Sequence, residues 1–255
     1  MNSPLTASLR LSVIIPAWRD QTHLSRAIPD LVRLNQLHEV IVADASPEPA
    51  TAGMVRAAGG VYLPAPQPNR GMQMNLAAEN ATGDVLIFHH ADSVLASAHL
   101  DAIAQALRDP AIIGGAFYRK FDRRHPRLLW LETVARFLSR HGGSFFGDQS
   151  VFVRREVFQA LGGFAPIPLM EDMEFSGRLR RAGPVAILDP PIESSTRRHL
   201  RQGPWRTSLQ NGLFILLYKC GLSPKQLHRW YYREQLTTPN EADFVTPAVE
   251  EFSQR

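Results

Sequence analysis

Glu39-Val-Ile-Val-Ala-Asp44 decides the fold. Four consecutive apolar residues without alternation read as a strand buried on both faces. Such strands belong to parallel sheets covered by helices. Toward the N-terminus, Leu24, Ile28, Leu31, Val32 and Asn35 fall on one helical face. Before them Leu11-Ser-Val-Ile-Ile15 is another short apolar run, predicted to end at Pro16 because proline cannot donate to a ladder. Toward the C-terminus, residues 51–58 read as a short helix stopped by Gly59-Gly60, and Val61-Tyr-Leu63 as a third strand. A turn with three prolines leads to a helix over 71–80, then to the strand Asp84-Val-Leu-Ile-Phe88 and a helix over 97–107. Strands alternating with helices of these lengths predict an α/β fold: a Rossmann-like, mostly parallel central sheet with helices on both faces. Ligands of such sheets gather at the carboxyl ends of the strands. Asp44, Asp92 and the residues after Pro16 are all predicted to lie there.

The second half is less regular. Strands are expected over 112–121, 150–153 and 185–188, and helices over 128–138, 154–161, 171–182, 205–220 and 223–233. With no internal repeat and no convincing linker, residues 1–236 are expected to form one domain, and the polar stretch 237–255 a loose tail. The chain has 255 residues, 44% of them hydrophobic, enough for a large core. Its formal net charge of +4 suits a polyanionic small ligand or an anionic membrane surface and demands neither. A single cysteine excludes an internal disulfide framework and a multi-cysteine zinc site. Cys220 itself is expected to be packed in a helix. No apolar run is long enough to span a bilayer, and no signal peptide is evident. The expectation is a cytoplasmic protein, soluble or peripheral to the inner face of the membrane. For the latter, Leu213-Phe-Ile-Leu-Leu217 beside basic and aromatic residues is the candidate contact.

Several acids and bases are placed to do chemistry. Asp44 follows a buried strand and could accept hydrogen bonds from a nucleobase or ribose, or simply shape a turn. Asp92 ends His90-Ala-Asp92 and offers a hard oxygen ligand for Mg²⁺ or Mn²⁺, or a helix cap. His89 and His90, at strand spacing, face opposite sides. Glu171-Asp172 opens a helix, where acids are favoured by the dipole alone. Asp172 shares a face with Phe175 and Leu179, and Glu171 with Glu174 and Arg178, so Asp172 is predicted to point inward and Glu171 outward. Arg197, Arg198 and His199 follow the last core strand, and Asn69-Arg70 precedes a helix; all could meet phosphate, or be surface and turn residues. Asp148-Gln149 is a polar pair among apolar neighbours. The glycine-rich dinucleotide and P-loop fingerprints, the serine-hydrolase elbow and paired metal-binding cysteines are all absent.

Ser12-Val-Ile-Ile-Pro16, Glu39-Val-Ile-Val-Ala-Asp44, Asn69-Arg-Gly-Met-Gln-Met-Asn75, His90-Ala-Asp92, Gly147-Asp-Gln149 and Met170-Glu-Asp172 occur in that order. Together they resemble the family 2 glycosyltransferases with a GT-A fold, most nearly the radical-SAM/selenodomain-associated subgroup, over roughly residues 11–222. The resemblance implies inverting transfer of a sugar from a nucleotide-diphospho sugar to an acceptor hydroxyl, with Mg²⁺ or Mn²⁺ as cofactor. Pro16, Ala17, Asp20, Asp44, Asn69, Arg70, Asn75 and Ala91 would then surround the nucleotide, and Asp92 with His199 the metal. Asp148, Gln149, Arg197 and Arg198 would lie at the acceptor or diphosphate, and Asp172, with Glu171 beside it, would be the catalytic base. The partners implied are the donor and an acceptor of unspecified chemistry, lipid-linked acceptors among the candidates, with no nucleic acid.

The chain departs from the family pattern. Trp18-Arg19-Asp20 stands where Asn-Glu is usual, Ala45-Ser-Pro-Glu-Pro49 replaces a glycine- and serine-rich turn, and His90 replaces the first acid of D-x-D. Two rivals follow. One is a catalytically silent nucleotide-sugar or membrane-binding protein on the same scaffold. The other is a sugar nucleotidyltransferase, which would need a glycine-rich loop that Pro16-Ala-Trp-Arg-Asp20 does not provide.

Overall fold

Val40, Ile41, Val42 and Ala43 are each no more than 3% exposed. A strand so thoroughly buried needs a covered sheet on both sides, and it has one. The computed structural model describes residues 9–46, 50–121, 133, 136–137, 142–194 and 204–236. Its strands are β1 (Leu11–Ala17), β2 (Leu37–Asp44), β3 (Val61–Pro64), β4 (Val85–Phe88), β5 (Gly114–Phe121), β6 (Val151–Arg154) and β7 (Val185–Ser194). They form one sheet in the order β3-β2-β1-β4-β6-β5-β7. The first four are mutually parallel. β6 runs antiparallel to both its neighbours, and β7 is parallel to β5.

The helices are α1 (Gln21–Val32), α2 (Ala50–Ala57), α3 (Arg70–Asn80), α4 (Ser97–Ala106), α5 (Arg155–Ala160), α6 (Glu171–Ala182), α7 (Pro204–Lys219) and α8 (Pro224–Leu236). One core lies where Leu24, Ile28 and Leu31 of α1, Val55 of α2 and Leu100 and Ile103 of α4 meet Val13, Ile15, Val40 and Val42. On the opposite face Met74 and Ala77 of α3, Phe158 of α5 and Phe175 and Leu179 of α6 meet Ile14, Ile41, Leu86 and Phe88. Strand neighbours such as Ile14 and Ile15 thus enter different cores, as the two-residue period of a strand requires.

Pro16 does not end β1, contrary to expectation. The strand runs on to Ala17, with Pro16 opposite Ala43. Ile14 accepts from the His89 amide on the β4 side, and Ala17 accepts from the Ala45 amide on the β2 side. Alternation therefore turns the Pro16 nitrogen toward the β4 side, beyond the Ile14–Phe88 pair where that ladder stops. The missing donor forfeits no bond. Cys220 is not packed in a helix either: α7 ends at Lys219 and the thiol is exposed in the turn. The expected tail over 237–255 and most of the helix expected over 128–138 lie outside the described residues.

Candidate active site

Three parallel strands end beside one another. At the end of β2, Asp44 is buried. Its Oδ1 accepts from the Ser46 amide (2.9 Å) and from the Ser46 hydroxyl, and Ser46 Oγ in turn accepts from the Arg19 amide (2.6 Å). The turn-shaping role of Asp44 is therefore real. Yet Oδ2 is also buried and has no protein partner among the described residues. A buried acceptor left so costs about 1–3 kcal/mol, which a donor on a bound molecule would recover. Beneath it, buried Gln73 of α3 donates to the carbonyls of Ala17 (2.6 Å) and Ala43 (2.9 Å), holding β1 and β2 together at their ends. Asp20, at the entrance of α1, contacts His23 Nδ1 at 3.1 Å.

β4 ends in two histidines that do different things. His89 Nε2 lies 3.2 Å from the Ser93 carbonyl, which only accepts, so Nε2 carries the proton and Nδ1 accepts from Ser150 Oγ (2.7 Å). Burial lowers the His89 pKa to about 4, against the Ser93 carbonyl, so the ring stays neutral. This ring joins the turn carrying Asp92 to the start of β6, where Ser150 has φ 47. His90 faces the other way: its Nε2 lies 3.3 Å from Arg70 Nη1 and accepts from it. Burial, then the Arg70 charge, lowers the His90 pKa to about 3. Asp92 is exposed in the turn, with Ala91 beside it half-buried. The desolvation its carboxyl does suffer raises its pKa; Asp20 and Asp148 add to that and His23 opposes it.

Arg70, the first residue of α3, binds three groups. Nε donates to Glu171 Oε1, Nη2 to Asp172 Oδ2 (3.1 Å) and Nη1 to His90. Burial, the largest influence, opposes its charge, and the two carboxylates outweigh it. Asp172 Oδ2 also accepts from the Gly147 amide (2.9 Å), and Oδ1 from the Met173 amide (2.7 Å). Burial still raises the Asp172 pKa, against Arg70 and with help from Glu171. Its low-dielectric floor is aromatic: Phe88, Phe145, Phe164 and Phe175 line the small space under His90, Gly147 and Asp172. A Cβ at Gly147 would stand 2.5 Å from His90 Nε2, so any larger residue there would have to push the imidazole aside. Next to it, Asp148 Oδ2 accepts from Arg119 Nη1 (2.6 Å), while buried Oδ1 has no protein partner among the described residues. Burial opposes ionisation of Asp148, and Arg119 nevertheless holds its pKa below the ordinary value. Gln149 is buried and fixes the turn, accepting from the Phe146 amide and donating to the Phe117 carbonyl.

The family model for glycosyl transferase family 2 matches residues 12–162, more than half of the chain. The chain belongs to the family 2 glycosyltransferases. Among curated relatives, an uncharacterized glycosyltransferase, YfnE, of Bacillus subtilis (strain 168) is 31% identical over 144 residues. That match takes in 48% of this chain and 35% of YfnE, so the chain spans about a third of that relative's length. The mannosyltransferase PcManGT from Pyrobaculum calidifontis, solved in complex with GDP-Man and Mn²⁺, is similar in structure with a TM-score of 0.63. It is 18% identical, over 90% of this chain and 70% of PcManGT. TarS 1–349 from S. aureus, solved in complex with UDP-GlcNAc, has a TM-score of 0.59 at 16% identity, over 74% of this chain and 59% of that one. These likenesses show the GT-A fold.

Against this glycosyltransferase fold the expected site residues divide. Pro16, Ala17, Asp20, Asp44, Ala91, Asp92, Asp148, Gln149, Glu171 and Asp172 lie on strand ends, turns and a helix start at one edge of the sheet. Arg70, expected at phosphate or ribose, is engaged with Glu171, Asp172 and His90. Asn69 caps α3 through the Met72 amide (3.0 Å). Asn75 exchanges two hydrogen bonds with the backbone of Phe164 (2.8 and 2.9 Å), bracing the loop before α6. Arg197, Arg198 and His199 lie outside the described residues. The inward-outward assignment on α6 is corrected: Glu171 is the more buried acid, its side chain 4% exposed against 13% for Asp172, and both reach Arg70. Nor is Glu174–Arg178 simply a solvated pair, since Arg178 also donates to the carbonyls of Leu161 and Gly163. Sequence reasoning missed Gln73 and Arg119. A glutamine amid the apolar residues of a helix was a signal for the former; nothing local signalled the latter.

Proposed function

We propose that the chain transfers a sugar, with inversion, from a nucleotide-diphospho sugar to an acceptor hydroxyl. The observation that carries this reading is a row of carboxylates along one edge of the sheet: Asp44 at the end of β2, Asp92 after β4 and Asp172 at the head of α6. The buried Asp44 Oδ2, without a protein partner among the described residues, suits an N–H or O–H of the nucleoside. The ligands in the solved structures of PcManGT and TarS, GDP-Man and UDP-GlcNAc, support a donor of this class.

A divalent cation fits as an oxygen-bound ion shared with the donor. Among the described residues no three His, Cys, Asp and Glu side chains gather to hold a metal by themselves. Mg²⁺ is usually held by one or two carboxylates plus substrate phosphates and water. Asp92 would supply such a carboxylate, and its neighbours Asp20 and Asp148 make the position electronegative. When bound, the ion would stabilise charge on the leaving diphosphate.

Asp172 would take the proton of the acceptor hydroxyl as its oxygen bonds to the anomeric carbon and the bond to the diphosphate breaks on the opposite side. Arg70 and the Gly147 amide would hold the carboxylate still for that task. The test is a transfer and hydrolysis assay with UDP-, GDP- and dTDP-sugars, with and without Mn²⁺, beside a thermal-shift panel of the same ligands. Metal-dependent turnover that Asp172→Asn abolishes supports the reading. Tight binding with no turnover on any donor or acceptor would replace it with a silent nucleotide-sugar binder.

A further inference from the structure

The sequence cluster Leu213-Phe-Ile-Leu-Leu217 does not pack as a block. α7 splits it between two environments. Phe214 is buried, its ring edge-on to Tyr231 of α8 at 5.6 Å. One turn on, Tyr218 is half-buried, its pKa raised by burial and then by the charges of Glu174 and Asp172, so this face of α7 looks toward α6. Leu209, Leu213 and Leu216 lie on another face and are 76%, 50% and 57% exposed. Spaced at i, i+4 and i+7, they form one stripe about 10 Å long. Trp230 of α8 adds a fourth large exposed apolar side chain.

Charge identifies what such a face fits. Residues 204–236 contain five Lys and Arg and one Glu, a net charge of +4. That equals the formal charge of the whole chain, so the remaining residues are neutral in sum. Lys219, Lys225 and Arg229 are exposed on or beside the same two helices. A second copy of the chain would bring like charges together, which opposes self-association through this face. Leucines flanked by tryptophan and cations match the boundary of an anionic bilayer, where acyl chains take the leucines and headgroups the rest. No helix among the described residues is long and apolar enough to cross a membrane, so the contact is with its surface.

We infer that the outer face of α7, with Trp230 and the cations of α8, docks on an anionic phospholipid surface and presents a lipid-borne acceptor to Asp172. The acceptor half of this inference rests on the glycosyl-transfer reading; the docking half does not. The helix that carries the leucine stripe also carries Tyr218, which feels the charges of Glu174 and Asp172 on α6. The bilayer boundary would thus lie about one helix diameter, some 10–12 Å, from that pair.

The experiment is co-sedimentation of the full chain with vesicles of equal phosphatidylglycerol and phosphatidylcholine, and with phosphatidylcholine alone, at low and high salt. Binding to the anionic vesicles at low salt, weakened by salt, is expected. The triple change Leu209→Ser, Leu213→Ser and Leu216→Ser should weaken it at least tenfold. The changes Lys219→Glu, Lys225→Glu and Arg229→Glu should weaken it by about fivefold per cation or more. Should a triple variant misfold, Trp230→Ala and the salt titration of the parent read the same surface. Absence of binding to anionic vesicles at low salt overturns the inference. So does a leucine variant that binds like the parent, or one that instead dissociates a dimer in sedimentation velocity. Vesicle binding without turnover on any donor would leave docking standing and remove the glycosyl-transfer reading.

Discussion

At Asp172 three hydrogen bonds and a counter-charge compete with an aromatic floor, and burial wins: the carboxyl titrates above its ordinary range. A base must be deprotonated to act. The acid limb of the kcat/KM profile is therefore expected above about pH 4, the usual aspartate value, with activity falling as pH falls through it. Arg70→Gln removes the main opposing influence and should move that limb to higher pH; a limb that stays or moves down would show Arg70 is not the counter-charge. Asp172→Asn should lower turnover by about two to four orders of magnitude with donor affinity little changed. Glu171→Gln differs in kind, because Glu171 is buried against Arg70. It should cost about 1–3 kcal/mol in urea unfolding. If it also costs more turnover than Asp172→Asn, the base is misassigned. Asp44→Asn leaves Oδ1 for the Ser46 turn but puts an N–H₂ where a ligand donor would point. Donor affinity should fall about tenfold or more, read by thermal shift, with the unfolding midpoint of the free protein nearly unchanged.

At the scale of the element, α6 is aimed by its entrance. Met170 precedes it with φ 69, a left-handed conformation that costs a non-glycine residue about 1–2 kcal/mol. The described non-glycine residues with positive φ, Arg19, Ser150 and Met170, lie just after β1, just before β6 and just before α6, at the sheet edge that carries the acids. Such strain persists where surrounding structure over-determines it. Met170→Gly should keep or raise stability by up to about 1 kcal/mol in urea unfolding; a marked loss would mean the methionine side chain, not the backbone, sets the helix. The loop before α6 is tied to α3 by Asn75, and Gly163 packs so closely that a Cβ would stand 2.7 Å from Asn75 Oδ1. Asn75→Ala should therefore lower stability while donor affinity in the surviving fold changes little. A selective loss of donor affinity would restore Asn75 to the nucleotide site.

At the scale of the whole molecule, the fold holds a neutral histidine just past the end of the central strand β4. His89 has a pKa of about 4 in the fold and near 6.5 when unfolded. The unfolded chain takes up the proton first. Stability is thus complete above about pH 6.5 and declines as pH falls toward 4, on the order of 3 kcal/mol from this one ring. Urea unfolding at pH 7 and pH 5 should show a decline that His90, its pKa lowered to about 3, shares, and His89→Gln should make it shallower without abolishing it; an equal slope in the variant would place the titration elsewhere. The strands, their burial and the acids at their ends were legible in short stretches such as Glu39-Val-Ile-Val-Ala-Asp44, because an unbroken apolar run has one stable environment in water. The periodicity of α6 was legible too, but a period gives only relative phase. Which of Glu171 and Asp172 lies deeper was settled by the left-handed step at Met170 and by Arg70, 101 positions away from Glu171. The antiparallel insertion of β6 between β4 and β5, and the division of α7 into a face toward α6 and an open face, were settled in the same way. Sequence alone determined which segments must be buried and which side chains could carry charge at a strand end. Tertiary structure decided which distant groups those charges meet, because chain entropy and packing select partners over separations that no local pattern encodes.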